Sequence, residues 1–297
     1  DATNYLSLAY GRPAHAYDLA KLTGAVVARR ARDGETVLAL NEKEYALDPS
    51  MTVIADDTGV HDIAGIMGGE HSGCDEGTTD VLLEIAYFDP KRIAATGQKL
   101  NLTSDARQRF ERGVDPAFLD TGLEILTALI LEICGGEASE VVRAGTPPAA
   151  SRGLAYPPSL VERLGGVSIG EAEQQRILES LGFALDRVEI GPGEKRWLLK
   201  VPGWRPDIDG AADIVEEVVR IHGLDKVESV ALPRADGVAR PTATPAQKLE
   251  RRVRRAAAAR GLNEAVTWSF ISEREAAAVG GGHWTLANPI SEDMKVM

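Results

Sequence analysis

The chain has 297 residues, of which 44% are hydrophobic and 26% are charged, and its formal net charge at pH 7 is −12. This composition is ordinary for a folded globular protein, and the length allows two domains and part of a third. The acidic balance excludes a protein that coats nucleic acid by unaided electrostatics, because neutralising phosphates needs clustered Lys and Arg. Any contact with nucleic acid must be local or shared with a partner chain.

The cysteines and apolar runs indicate the cellular compartment of the protein. Cys74 and Cys134 lie far apart, without a Cys-x-x-Cys or histidine-rich context, which predicts reduced thiols rather than a disulfide framework or a zinc site. No apolar run approaches the length that spans a membrane, so we expect a cytoplasmic protein with no membrane contact. The first residues are neither a signal peptide nor an initiator methionine, which suggests an internal fragment of a longer chain.

The first part of the chain alternates predicted strands with turns and ends in a helix. Runs at 25–28, 52–55 and 81–83 are rich in β-forming residues between Gly and Asp turns. The apolar run 123–134 reads as a helix that Gly135 and Gly136 terminate. The pattern predicts an α+β domain, to which we assign residues 1–148.

Two further segments follow a proline-rich linker at 147–158. A short helix at 158–165, a helix at 169–182, a strand at 197–201 and a helix at 213–222 predict a small second domain, residues 152–227, of short helices and a β ribbon. A helix at 246–260 opens the last segment, residues 240–297, which is too short to complete a third domain.

Four blocks of small, charged and turn-forming residues occur in order within the first domain. They read GRPAHAYD at 11–18, AGIMGG at 64–69, LEIAYFDP at 83–90 and TSDARQRFERGVDP at 103–116. The last block fits no simple amphipathic period, which is typical of a functional site. Together they resemble the editing module of the bacterial phenylalanyl-tRNA synthetase β subunit, and the resemblance extends to nearly the whole chain.

The resemblance implies a mixed α/β editing domain, a DNA-binding-like fifth domain and the start of a synthetase catalytic-like domain. It implies that the chain hydrolyses mischarged Tyr-tRNA(Phe). It also implies support for an α subunit that uses ATP to attach phenylalanine to tRNA(Phe), in a heterotetramer of two α and two β subunits. The alternative is an inactive scaffold for the α subunit that contributes to tRNA binding; a stand-alone hydrolase is a further alternative.

Glu84 lies in an otherwise apolar strand, where a buried carboxylate is costly without a partner. A phenolic hydroxyl could be that partner, since a hydroxyl is recognised well by a polar group that the analogue without it leaves unpaired. The strand pattern alone favours a carboxylate on a solvated face. The resemblance reverses this preference and assigns Glu84 to the tyrosine hydroxyl.

His15 follows a Gly and a Pro that set a turn. A lone histidine there is more often structural, but the resemblance implies that it lines the editing pocket and orients the terminal adenosine or a hydrolytic water. The glycine cluster by itself favours a turn. The resemblance implies that further residues border the amino-acid pocket: Asn4, Gly65, Gly68, Gly69, Ser104 and Ala106.

Two charged groups complete the candidates. Arg107, Arg109 and Arg112 can either meet tRNA phosphate or form structural ion pairs. Acidic residues at the start of a helix complement its dipole, but clustered carboxylates also suit Mg²⁺. The resemblance implies an Mg²⁺ ion shared with the α subunit at four positions: Asp207, Asp213, Glu216 and Glu217.

Overall fold

The structure is a computed structural model and describes residues 2–149, 151–191, 194–233 and 241–297. Contacts between residues divide the chain into two compact units, Asp1–Val230 and Ala231–Met297. Helices and antiparallel sheets occur together in the first unit. The predicted α+β class is therefore confirmed.

Twelve helices and strands make up the first part of this unit, which contains its first core. In chain order they are α1 (Ala2–Tyr10), β1 (His15–Asp18), β2 (Val27–Arg30), β3 (Thr36–Leu38), β4 (Glu44–Ala46), β5 (Thr52–Ala55), β6 (Val60–Ile63), β7 (Met67–Gly68), β8 (Val81–Glu84), α2 (Pro90–Lys99), α3 (Asp105–Arg112) and α4 (Leu119–Cys134). The predicted strands at 52–55 and 81–83 and the helix at 123–134 are confirmed. The strand predicted at 25–28 begins two residues later.

The strands form three antiparallel groups: β1 with β8, β3 with β4, and a four-stranded sheet in the order β2-β5-β6-β7. All four residues of β6 are buried, so this strand carries His61 and Asp62 into the interior. The core around it contains Tyr17, Val53 and Ile63, each fully buried. A short strand with two polar residues inside needs partners for them. His61 pairs with Asp56, and the partners of Asp62 belong to the site described below.

Within the block at 103–116, residues Asp105–Arg112 form a regular helix that the sequence pattern did not predict. Ser104 caps α3 by accepting the N–H of Arg107, and Gly113, at φ 100°, ends it. Phe110 is the buried residue of α3. Asp105, Gln108 and Arg112 are exposed, so α3 is amphipathic. The block as a whole hides this period because it includes residues outside the helix.

A second core lies further along the same unit. Its elements are β9 (Arg152–Tyr156), α5 (Leu160–Gly165), α6 (Glu171–Ser180), β10 (Ala184–Gly191), β11 (Glu194–Val201) and α7 (Ala211–His222). The predicted β ribbon is an antiparallel sheet in the order β10-β11-β9. The rings of Tyr156 and Trp197 pack edge to face with centroids 6.0 Å apart. They belong to a buried cluster that includes Ile177 and Val218.

The second unit contains α8 (Pro245–Ala259) and α9 (Glu273–Ala278). Thr244 and Gln247 form a capping box at the start of α8, where a helix was predicted. Asp1 and Arg240, at which two of the predicted domains begin, lie outside the described residues, and the three-domain division stays a prediction. In the part of the chain that the structure describes, no helix is both long enough and apolar enough to cross a membrane.

Candidate active site

A cavity of about 400 Å³, its solvent-filled mouth included, opens among β1, β6, β8 and α3. Five residues predicted from the sequence line it: His15, Gly65, Gly68, Glu84 and Ala106. The other lining residues are Pro13, Ala14, Asp62, Ile63, Ile66, Met67, Phe88 and Phe110.

His15 and Glu84 reach the cavity from paired positions of β1 and β8. Directly opposite residues of an antiparallel pair project to the same side of the sheet. The imidazole Nε2 of His15 lies 3.8 Å from Oδ1 of Asp62. This nitrogen is buried without a hydrogen-bond partner among the described residues, so His15 has donor or acceptor capacity to offer a ligand.

Tyr17 joins the two carboxyl groups of the cavity. Its side chain is fully buried, and its hydroxyl contacts Oδ2 of Asp62 and lies 2.7 Å from Oε2 of Glu84. The rings of His15 and Tyr17 pack edge to face with centroids 4.5 Å apart. Burial, with the two neighbouring carboxylates, raises the pKa of Tyr17 far above its ordinary value, so its hydroxyl keeps its proton.

Glu84 is the carboxyl whose charge is most costly in this site. Burial, followed by the charge of Asp62, raises the pKa of Glu84 to about 7, and the hydrogen bond from Tyr17 lowers it. Burial disfavours the ionised form, and a nearby like charge does the same. Glu84 therefore changes charge near neutral pH. The interpretation of Glu84 as a carboxylate on a solvated face is wrong, because its side chain points into the cavity.

The glycines are required because a Cβ at these positions would clash with neighbouring side chains or backbone. Gly65 has φ 69°, and a Cβ there would lie 2.7 Å from Phe88. A Cβ on Gly68 would lie 2.5 Å from Cε1 of His15. Gly69 does not line the cavity; its N–H donates to Oδ1 of Asp62 at 3.1 Å, and a Cβ there would lie 2.0 Å from a backbone carbonyl.

Ser104 and Asn4 do not line the cavity, contrary to the prediction. The Ser104 hydroxyl donates to the carbonyl of Ile66 at 2.6 Å and accepts the N–H of Arg107. Ser104 thus ties α3 to the cavity wall instead of facing a ligand. Asn4 is exposed on α1, a helix whose buried residue is Leu6, because positions two apart on a helix point to nearly opposite sides.

Three polar residues in or beside the cavity were not predicted: Tyr17, Asp62 and Arg12. Arg12 is 1% exposed and donates to the carbonyls of Ala86, at 2.7 Å, and Asp115, at 3.0 Å. Burial lowers its pKa to about 10. It therefore fastens the segment before β1 to the segments after β8 and α3. Tyr17 comes two residues after His15, and side chains two apart on a strand lie on the same face. This spacing could have indicated that Tyr17 belongs to the site.

The arginines of α3 are mainly structural. Arg107 pairs with Glu111 at 2.9 Å and donates to the carbonyl of Leu102, and Arg109 donates to the carbonyl of Ser7 at 3.1 Å. Arg112 is exposed. Of the two interpretations for these residues, ion pairs and backbone contacts account for Arg107 and Arg109.

The four acidic residues near α7 do not converge on one point. Glu217, 6% exposed, pairs with Arg205 at 2.9 Å and Arg220 at 2.7 Å, and Asp207 also pairs with Arg205. Asp213 accepts the backbone N–H groups of residues 209 and 210, while Glu216 is exposed.

These contacts do not fit a preformed magnesium site, because the strongest acceptors already have cationic or N–H partners. Hydrogen bonds from Arg205 lower the pKa of Asp207 and of Glu217. Within the described ranges, no group of three or more His, Cys, Asp or Glu side chains is placed to hold a metal ion. The predicted clustering of Asp207, Asp213, Glu216 and Glu217 is wrong for this structure. Mg²⁺ binding beside an α subunit stays a prediction.

Comparison with known proteins identifies the class. The B3/4 domain matches residues 1–135, the tRNA synthetase B5 domain residues 154–224, and the phenylalanyl tRNA synthetase beta chain CLM domain residues 230–297. The chain is thus built from domains of an aminoacyl-tRNA synthetase, and the first of them contains the cavity.

Two curated relatives narrow the class to one family. The phenylalanine–tRNA ligase beta subunit of Novosphingobium aromaticivorans is 70% identical over 299 residues, and that of Zymomonas mobilis is 55% identical over 297 residues. The chain belongs to the phenylalanine–tRNA ligase β-subunit family. Each alignment covers 100% of this chain, which spans 37% of the relative's length. An N-terminal fragment of the phenylalanyl-tRNA synthetase β subunit from Pyrococcus horikoshii is 18% identical, with a TM-score of 0.35; the match covers 73% of this chain and 62% of that one.

Proposed function

We propose that this chain contains the site at which a phenylalanyl-tRNA synthetase hydrolyses mischarged Tyr-tRNA(Phe). The observation that carries the proposal is the position of Glu84, a carboxyl group in the wall of a cavity that Phe88 and Phe110 also line. A tyrosyl ring would pack against Ile66, Phe88 and Phe110, and its hydroxyl would donate to Glu84. A phenylalanyl ring would leave one oxygen of that carboxyl without a partner, which is the arrangement that discriminates strongly between the two.

Hydrolysis requires water to add to the ester carbonyl and the bond to the ribose oxygen to break, which releases tyrosine and tRNA. In this proposal His15 orients the terminal adenosine or the attacking water, because its buried Nε2 faces the cavity and lacks a hydrogen-bond partner among the described residues. Positioning of this kind lowers the barrier by removing the need to orient the reactants. Ala106 supports the proposal because a larger side chain there would take up space in the cavity.

The remaining assignments belong to the same proposal. The chain supports the attachment of phenylalanine to tRNA(Phe) by an α subunit that uses ATP, in a cytoplasmic heterotetramer of two α and two β subunits. Residues 1–148 form the editing domain, 152–227 the small domain and 240–297 the start of a catalytic-like domain. Asp207, Asp213, Glu216 and Glu217 would hold Mg²⁺ only after rearrangement, since Arg205 occupies two of them.

The test compares wild type with Glu84→Ala in the intact αβ assembly, using pre-charged Tyr-tRNA(Phe) and Phe-tRNA(Phe). Loss of a hydrogen bond to a charged group predicts a roughly ten- to hundredfold drop in tyrosyl hydrolysis. Folding and phenylalanine attachment should be unchanged. Glu44→Ala is the control, because Glu44 is an exposed strand glutamate outside the cavity. Equal tyrosyl hydrolysis in all three proteins would contradict the proposal and favour the scaffold alternative.

A further inference from the structure

The Tyr17 hydroxyl lies between two carboxyl groups but has a single proton. It contacts Oδ2 of Asp62 and lies 2.7 Å from Oε2 of Glu84. A hydroxyl donates one hydrogen bond, so it can donate to only one of these oxygens at a time. The other contact is favourable only when the carboxyl group itself carries a proton. The charge of Glu84 and the direction of the Tyr17 O–H bond are therefore linked.

The two carboxyl groups differ in their other partners. Asp62 also accepts the N–H of Gly69 at 3.1 Å and faces Nε2 of His15 at 3.8 Å. Within the described ranges, Tyr17 is the sole hydrogen-bond donor to the Glu84 side chain. Asp62 thus has further contacts, whereas Glu84 depends on Tyr17 for its orientation.

The groups that face Glu84 come from three directions. β1 contributes His15 and Tyr17, β6 contributes Asp62, and the segment before β1 brings Arg12 to the carbonyl of Ala86. Helix α4 also packs against β8, but among the described residues no charge from α4 contributes to the shifted pKa of Glu84. Asp62 is therefore the charge that matters, and Tyr17 is the group between it and Glu84.

We propose that Tyr17 is a positioning residue for tyrosine specificity: its hydroxyl holds one oxygen of Glu84 and leaves the other for a phenolic hydroxyl in the cavity. This inference rests on the proposed function. A carboxyl group held in one orientation meets the ligand hydroxyl without loss of rotamer freedom on binding. Tyr17 touches neither water nor ester in this scheme, and it acts through Glu84.

The inference predicts a link between pH and specificity. An ionised Glu84 accepts a stronger hydrogen bond than a neutral one, so preference for tyrosyl ester rises with pH around the pKa of about 7. The Tyr17 hydrogen bond lowers that pKa and the Asp62 charge raises it. Tyr17→Phe should move the midpoint of the pH profile upward, whereas Asp62→Asn should move it downward.

The experiment measures kcat/KM for hydrolysis of Tyr-tRNA(Phe) and Phe-tRNA(Phe) by the αβ assembly from pH 5.5 to 8.5, a range of about 1.5 units on either side of the pKa expected for Glu84. The ratio of the two values removes the pH dependence that both esters share. Tyr17→Phe should lower the ratio roughly tenfold at neutral pH. Tyr156→Phe is the matched control, because its hydroxyl is fully buried and donates to Gln174 at 2.6 Å outside the cavity.

Each outcome decides the inference. A ratio and midpoint in Tyr17→Phe that match wild type overturn it, and so does an equal loss for both esters, which marks a purely structural role. If Tyr17→Phe does not fold, the downward shift expected in Asp62→Asn is the deciding measurement. If Glu84→Ala loses selectivity while Tyr17→Phe keeps it, this inference fails alone. Absence of tyrosyl hydrolysis in the wild-type assembly would contradict both the inference and the proposed function.

Discussion

His15 and Glu84 are directly paired across β1 and β8, and this register places both polar side chains in one cavity wall. Neighbouring positions of a strand point to opposite faces, so a slip of one residue would turn one of the two away from the cavity. Arg12 secures the approach to β1 through two backbone carbonyls. The site therefore depends on the register of this pairing.

Glu84→Gln should make stability less dependent on pH. The carboxyl has an ordinary pKa of 4.5 and a folded-state pKa of about 7. Between these values the folded chain holds a proton that the unfolded chain has lost, so stability falls as pH rises and the loss is complete above the folded pKa. At about 1.4 kcal/mol per pKa unit, the free energy of unfolding of wild type should fall by roughly 3 kcal/mol over this range, whereas that of the variant should not.

Urea unfolding near pH 4.5 and at pH 8 measures this difference. The gap between the unfolding free energies of wild type and Glu84→Gln should change in favour of the variant at the higher pH. Glu44→Gln, at an exposed strand position, is the control and should keep a constant gap. A constant gap for Glu84→Gln would show that Glu84 has the same pKa in the folded and unfolded states.

Gly68→Ala should impair the site more than the fold. The new Cβ would lie 2.5 Å from the end of the His15 ring. Because this ring can move aside, we expect the free energy of unfolding to fall by about 1 kcal/mol or less. A displaced His15 should lower tyrosyl hydrolysis roughly tenfold or more. In Gly69→Ala the new Cβ would lie 2.0 Å from a backbone carbonyl, which cannot move aside in the same way. This variant should lower the free energy of unfolding by about 3 kcal/mol. Thermal unfolding and hydrolysis assays separate the two, and equal destabilisation would contradict this account.

Arg205→Ala should destabilise the second core. Arg205 is the shared partner of Asp207 and Glu217, and its guanidinium lies 6.0 Å from the centre of the Phe183 ring. Breaking a buried pair leaves an uncompensated charge, and with Arg220 still in place we expect a loss of about 2 kcal/mol.

The control for this prediction is Arg254→Ala, which breaks an exposed pair with Glu264. It should cost less than about 1 kcal/mol. Chemical unfolding monitored by the fluorescence of Trp197 and Trp204 reports on the second core. A loss for Arg205→Ala no greater than that of the control would mean that water screens the Glu217 charge.

Magnesium should not stabilise this chain by itself. A ligand raises the melting temperature only if it binds the folded state, and the carboxylates of Asp207 and Glu217 are already paired with Arg205. Melting curves with Mg²⁺ and with a chelator should coincide for the isolated chain. A rise with Mg²⁺ that Glu217→Gln abolishes would show that the ion displaces Arg205 without an α subunit.

Elements with a strong local signal were predicted well. The helices at 213–222 and 246–260 have amphipathic patterns or capping residues within their own sequence, and the structure places them within two residues. The α3 helix was missed as an element because its only buried residue is Phe110. His15 and Glu84 were found from ordered motif blocks, whereas Asn4 was placed wrongly because a motif does not show which face of a helix is buried.

The amino-acid sequence by itself determined the α+β class, the main helices and the family, because these depend on local periodicity and on ordered motifs. Only the tertiary structure decided that Tyr17 lies between Asp62 and Glu84 and that Arg205 neutralises two of the predicted metal ligands. These contacts join residues from different strands and helices. Their geometry depends on strand register and on burial, since a carboxyl group that leaves water must find a partner wherever the fold provides one.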